Sequence, residues 1–273
     1  ANLITIPPQK YKPKPIVIES DWSSASYFWA MAALIPGSEL RFDNLWAGSW
    51  QGDSILNDIM KNFYVESSFE NGNCRIKSWA FALDHFRYDF IDYPDLVPTF
   101  VCLCCTLQIP FEIYGTYTLK YKESNRAELL KNELAKLGYK IELEENNMKF
   151  DGCRYQVSKY ETIERDLDGI VILNAHNDHR LAMSFFLLAL KNQNVRIAGC
   201  DSVKKSFPQF WTELEKLGIK LIKETRSFMA DSKSVSHNLT CFYPDFSSEF
   251  SNGMRMIGIN DNKVLNVQTK AIN

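Results

Sequence analysis

Four short clusters of charged residues lie where a strand or loop gives way to a helix. The first, Tyr121-Lys122-Glu123-Ser124-Asn125-Arg126, precedes an amphipathic stretch. Lys122, Glu123 and Arg126 fall within one turn there, and the free N–H groups of a helix start favour anions. A solvated helix start with an exposed ion pair accounts for the same spacing. The second cluster, Asn177-Asp178-His179-Arg180, comes directly before LAMSFFLLAL, a helix apolar enough to require burial. Capping by Asn177 or Asp178 explains part of it, but not an arginine inside an apolar helix. Arg180 reads as an anion clamp, because a guanidinium offers a bidentate fork to phosphate or carboxylate. The third, Lys204-Lys205-Ser206-Phe207-Pro208, precedes the last helix, as plain surface charge or as further anion-binding groups. In the fourth, Pro94-Asp95, the carboxylate is most simply an N-cap. Its place matches that of Asp178 one repeat later, which also makes it a candidate general base. Two arginines, several lysines and two or three carboxylates at one end of the repeats suit acid–base chemistry on a multiply anionic small substrate.

The chain as a whole has no such bias. Its 273 residues hold 31 Lys and Arg against 33 Asp and Glu, a net charge of −2. No global basic field argues for nucleic acid or an anionic membrane, so anion binding has to be local. The seven cysteines are odd in number and lack paired ligand spacing. They read as reduced core thiols, with no metal site and no cofactor expected. No run is long enough to span a bilayer and no signal-peptide pattern opens the chain, which reads as cytoplasmic. It starts with Ala rather than Met, as though inside a longer protein.

The elements that must position the clusters recur. Residues 1–15 read as a short strand-like piece and a Pro/Lys-rich linker, or hinge, and IVIE at 16–19 as a strand. ASYFWAMAAL follows as a buried helix, SELRFDNL as a strand and DSILNDIMKNF as a helix. Strands near VESSF and CRIKSW meet across an Asn71-Gly72 turn. The order repeats with the helix PDLVPTFVCLCCTLQ, the strand FEIYGTY and the helix SNRAELLKNELAKLGY, then two strands. A third copy runs from GIVILNA to FPQFWTELEKLGI. The pattern is three β-α-β-α-β-β units spaced by about 70–80 residues, apolar helices inside and sheets and amphipathic helices around them. The third unit lacks its final strand pair, which has to come from elsewhere. The division expected is linker 1–15, domain 16–225, and a tail 226–273 without assignable role.

DWSSASYFWAMAAL, SWQGD, PDLVPT, KYKESNRAELLKNELAKLG, NDHRLAMSFFLLAL and KKSFPQFWTELEKLG resemble, in order, signature segments of the C-terminal half of the EPSP synthase family (3-phosphoshikimate 1-carboxyvinyltransferase). The likeness runs from about residue 12 to 222, and K-E-x-x-R, N-D-H-R-x-A-M and K-S-F-P together are highly specific. The resemblance implies an α/β (α+β) domain, an inside-out α/β barrel of three such repeats. In the family a second, similar domain closes on it, and the N-terminal segment crosses over to supply the missing strands. The implied reaction joins phosphoenolpyruvate to the 5-hydroxyl of shikimate 3-phosphate through a tetrahedral intermediate and releases phosphate, on the way to chorismate and the aromatic amino acids. Carried over residue by residue, Asp95 binds the shikimate hydroxyls and is a candidate base. Lys122 lies near that ring, and Glu123 moves a proton at the phosphoenolpyruvate methylene. Arg126, Arg180 and Lys205 hold the phosphate and carboxylate of phosphoenolpyruvate, with Lys205 also counted as catalytic, and His179 orients its neighbours. Asn125 departs from the family's usual Asp, and Thr118 stands where the family often has an Asn that touches shikimate. The family's S-K-S-x-S-x-R segment and the other wall of the cleft are absent, so the missing N-terminal half is an expected partner. Little or no turnover is expected from this chain alone. A non-catalytic anion-binding half-domain and another enolpyruvyl transferase are the competing readings.

Overall fold

The computed structural model describes residues 3–156, 170–230, 235–244 and 265–267, apart from the side chains of 224–243 and 265–267. Three helices form its centre. α1 (Trp22–Leu34) is buried along its whole length, which its all-round mixture of aromatic, Ala and Ser residues permits. Asp21 caps it by accepting from the Ser23 and Ser24 amides. α3 (Val97–Leu107) follows a 3-10 turn at Pro94–Leu96, and α5 (His179–Ala189) is capped by Asp178. The three touch pairwise. Small polar residues let them approach closely, and the Ser26 and Thr99 hydroxyls meet at 3.0 Å between α1 and α3.

Each central helix belongs to one unit. The first unit adds β1 (Glu39–Phe42), the short α2 (Leu56–Ile59, with a 3-10 turn on either side), β2 (Val65–Glu70) and β3 (Asn73–Ser78). The second has β4 (Phe86–Asp89) before α3, then β5 (Phe111–Tyr114), α4 (Arg126–Ala135), β6 (Glu142–Leu143) and β7 (Asn147–Phe150). The third has β8 (Val171–Asn174) before α5, then β9 (Val195–Ala198), α6 (Phe210–Lys216), β10 (Leu221–Ala230) and β11 (Val235–Pro244). The last described strand is β12 (Leu265–Val267).

All three sheets share one topology, a parallel pair extended by an antiparallel hairpin. The orders are β4-β5-β7-β6, β8-β9-β11-β10 and β12-β1-β3-β2. The expected repeat is therefore present, with two differences. The third unit's strand pair comes from β10 and β11, which follow α6 directly, and not from a remote segment. In the first unit the place of the leading strand is taken by β12, parallel to β1 with Leu40 opposite Leu265. The tail thus supplies sheet residues, although 245–264 and 268–273 lie outside the described residues. Residues 16–19 are not a strand, and Ile16, Val17 and Ile18 are exposed. A β-branched run suits a sheet only where an edge is free to receive it, and here that edge is occupied.

Asn71 and Gly72 both adopt positive φ, as a two-residue hairpin turn requires. Cys74, Cys102, Cys104, Cys105 and Cys200 are buried free thiols, as expected. Cys153 is exposed and so is not a core thiol, and Cys241 lies outside the described side chains. Among the described residues, no helix is long and apolar enough to cross a membrane.

Candidate active site

The starts of α3, α4 and α5 converge at one end of the helical core. Asp95, in the 3-10 turn ahead of α3, does not cap it, because three cations take its side chain. Its Oδ1 lies 3.0 Å from Arg126 Nη1 and 3.2 Å from Lys122 Nζ, and its Oδ2 3.0 Å from Arg180 Nη2. Burial raises its pKa, but Arg180, Lys122 and Arg126 outweigh that and hold it below the ordinary carboxylate value.

Arg126, the first residue of α4, is 0% exposed. Its Nε donates to Asp178 Oδ2 (2.8 Å), Nη1 to Asp95 (3.0 Å), and Nη2 to Glu123 and, more weakly, to Asp178 Oδ1 (3.3 Å). Three acidic side chains thus consume the guanidinium, which serves here as an internal strut. Asp178 also accepts from Ser124 Oγ (2.8 Å) and from the Arg180 amide (3.0 Å). Burial raises its pKa, and the Arg126 hydrogen bond and charge together with Ser124 and the Arg180 amide bring it below the ordinary value. The N-cap of α4 is Asn125, whose side chain accepts from the Glu128 amide. An amide caps as well as a carboxylate, so the departure at Asn125 leaves the helix start intact.

Arg180 sits in the first turn of α5, largely buried. Burial alone would lower its pKa; the facing Tyr27, Asp95, Asp53 and Asp21 reverse this and raise it. Tyr27, on α1, has its phenol pushed up to about 12 by burial against the pull of Arg180 and Arg126. Burial also raises the pKa of Asp53, although a Ser23 hydroxyl donates to it and Arg180 faces it. Tyr27, Asp53 and Asp21 lie outside the charge clusters, and Ser124 lies inside the first of them without a charge of its own. Their signal lies in DWSSASY, SWQGD and KES, where polar residues sit at the start of, or inside, buried segments.

The remaining expected residues divide. Glu123 is 42% exposed on its side chain and leans on Arg126. Lys205 donates Nζ to the Asn177 carbonyl at 2.7 Å, which ties the third cluster to the second. Lys204 pairs with Asp201 on the surface. His179 is buried with Nδ1 unpartnered, and burial and then Arg180 lower its pKa, so it is neutral at pH 7. The Thr118 hydroxyl is enclosed without a partner and does not join the cluster. Among the described residues no group of His, Cys, Asp and Glu is placed to hold a metal ion. Clefts of about 300, 380 and 460 Å³ open elsewhere, and none is lined by Asp95, Arg126 or Arg180. The cluster gathers cations and carboxylates at one end of the helical core. It can orient an anion against Arg180, Lys122 and Lys205 and move protons through Asp95 and Glu123.

Known proteins similar to this chain belong to one family. The family model for EPSP synthase (3-phosphoshikimate 1-carboxyvinyltransferase) matches residues 1–214. A 3-phosphoshikimate 1-carboxyvinyltransferase of Bacteroides fragilis is 34% identical over 216 residues, 79% of this chain and 50% of the relative. One from Methanocaldococcus jannaschii is 34% identical over 214 residues, 78% of this chain and 47% of the relative. Among solved structures, an EPSP synthase from Acinetobacter baumannii superposes with a TM-score of 0.56 at 23% identity. It covers 70% of this chain and 44% of that one. The chain thus spans about half the length of the curated relatives it matches. A family match over most of the chain, joined to the repeated units and the converging helix starts, leads to one conclusion: the chain belongs to the EPSP synthase family.

Proposed function

We propose that this chain is the C-terminal portion of a 3-phosphoshikimate 1-carboxyvinyltransferase, a transferase of the cytosolic shikimate pathway, and that it works only when joined by an N-terminal half. The observation that carries the reading is the meeting of Asp95 with Lys122, Arg126 and Arg180 from separate helix starts. In the reaction, the 5-hydroxyl of shikimate 3-phosphate adds to C2 of phosphoenolpyruvate. Asp95 takes the hydroxyl proton and Glu123 protonates the methylene, giving the tetrahedral intermediate. Loss of a methyl proton back to Glu123, with the proton held by Asp95 passing to the departing phosphate, then breaks the C2–O bond to phosphate. This restores the C=C bond as an enol ether and leaves both carboxyls as they began. Arg180, Lys122 and Lys205 hold the phosphate and carboxylate, while Arg126 fixes the carboxylates around them. The free site is self-neutralised. A bound anion that draws Arg180 and Lys122 away from Asp95 removes what holds its pKa down, so substrate binding makes the base stronger. Half of the cleft leaves the reactants solvated and unaligned, so the chain alone should show no turnover.

The test is phosphate release from shikimate 3-phosphate and phosphoenolpyruvate, by this chain alone and after mixing with the N-terminal half of the Bacteroides fragilis relative. Release in the mixture only is expected. No release and no phosphoenolpyruvate binding in either case would overturn the proposal and leave a non-catalytic remnant.

A further inference from the structure

α4 carries a second buried charge that the proposed chemistry does not use. Glu133 stands seven residues after Arg126, on the same face of the helix, and is buried like it. Both side chains reach the same loop between β8 and α5. Arg126 holds its far end through Asp178, and Glu133 holds its near end. One Glu133 oxygen accepts the Asn174 amide at 2.8 Å, and the other lies 2.9 Å from His176 Nε2. Lys136 Nζ approaches the same carboxylate at 2.9 Å and also donates to the Ile172 carbonyl at 3.2 Å.

Between these anchors the backbone does something uncommon. His176 and Asn177 take φ of +49° and +62°, two consecutive left-handed residues, neither of them glycine. Side chains with a Cβ adopt that conformation at a cost, and a pair persists only where the surroundings impose it. Local hydrogen bonds help, with the His176 amide donating to Asn174 Oδ1 (2.8 Å) and the Asp178 amide to the Ala175 carbonyl (2.8 Å). The outcome of the turn is functional geometry. It aims Asp178 at Arg126, places Arg180 in the first turn of α5 against Asp95, and presents the Asn177 carbonyl on which Lys205 rests.

We propose that Glu133, acting through His176 and the Asn174 amide, is a positioning residue for the anion-binding end of the site. It holds the left-handed pair in the shape that sets Asp178, Arg180 and Lys205 in register. Describing that end as anion-binding rests on the function proposed above. The hold on the turn does not. His176 with its proton on Nε2 donates to Glu133, so the pair needs no charge on the imidazole.

The experiment uses the whole chain and its Glu133→Ala, His176→Ala and His176→Gln variants. Two signals are followed by NMR: hydrogen exchange at the Arg126 Nε–H, and the shift of the Arg180 resonances on titration with inorganic phosphate. Glu133→Ala and His176→Ala should each speed Arg126 Nε–H exchange at least about tenfold and weaken phosphate binding by about tenfold. His176→Gln, whose amide can still donate to Glu133, should recover most of both. His176 is partly exposed, at 38% on its side chain, so its variants carry the test if Glu133→Ala fails to fold. A lower melting temperature with Arg126 exchange and phosphate affinity unchanged would make Glu133 merely structural and overturn the proposal. If the parent chain binds no phosphate, the anion-site reading fails, and the exchange arm still decides whether Glu133 sets the turn.

Discussion

Replacing Arg126 with methionine should destabilise the chain by about 3–5 kcal/mol at neutral pH, since removing one partner strands buried opposite charge. Asp178 is buried and keeps its charge chiefly because this guanidinium answers it, whereas the half-buried Asp95 leans on Arg180 and Lys122 before Arg126. The pH dependence identifies the cause. In the parent chain both pKa values are depressed. Their stabilisation is complete above the unfolded value of about 3.9 and is lost as pH falls through the lower folded value. Without Arg126, burial governs Asp178 and its pKa rises. The deficit should then shrink as acid neutralises the carboxylate, between about pH 7 and pH 4. Urea midpoints for both proteins at pH 7 and pH 5 measure this. An equal deficit at the two pH values would rule out stranded carboxylates as the cause.

Asp95→Asn should pull binding and chemistry in opposite directions. In the isolated chain it removes the carboxylate that occupies Arg180 and Lys122, so inorganic phosphate should bind more tightly, on the order of tenfold. In the mixture with a complementary half it removes the base, and turnover should fall by about 10²–10⁴-fold. Isothermal titration and a phosphate-release assay separate the two. Weaker binding together with weaker turnover would make Asp95 part of the scaffold for the cations rather than a base they restrain.

Periodicity and turn chemistry were enough to read the architecture locally. The apolar character of ASYFWAMAAL and PDLVPTFVCLCCTLQ marks helices that sheets must cover, and Asn71-Gly72 marks a hairpin. Pairing over long sequence distances left no local trace. Nothing in Leu265–Val267 says that it lies beside Leu40, and the β-branched IVIE run looked better suited to that edge. The charge clusters named Asp95, Lys122, Glu123, Arg126, Arg180 and Lys205, and the fold unites them. Residue type did not reveal that three carboxylates already occupy Arg126, or that Lys205 grips a backbone carbonyl. Tyr27 and Asp53 carry no such mark, because a tyrosine in an apolar helix and an aspartate at a helix start each have an ordinary local explanation. Only the tertiary approach of α1 gives them Arg180 as a neighbour.

The central placement of α1, α3 and α5 bears on how this chain can be divided. Each of these helices is buried on nearly every side, so the sheet of its own unit covers only part of it and the other two helices must cover the rest. A unit is therefore a repeat in sequence but not an autonomous folding piece, unlike a domain with its own core. A fragment ending near residue 82 would leave α1 without α3 and α5, and should be molten or aggregated by near-ultraviolet circular dichroism and light scattering. A native-like fragment would show that one sheet suffices to shelter its helix. On this packing the chain should gain or lose its order as one cooperative block, and a lesion in any repeat should be felt by all three.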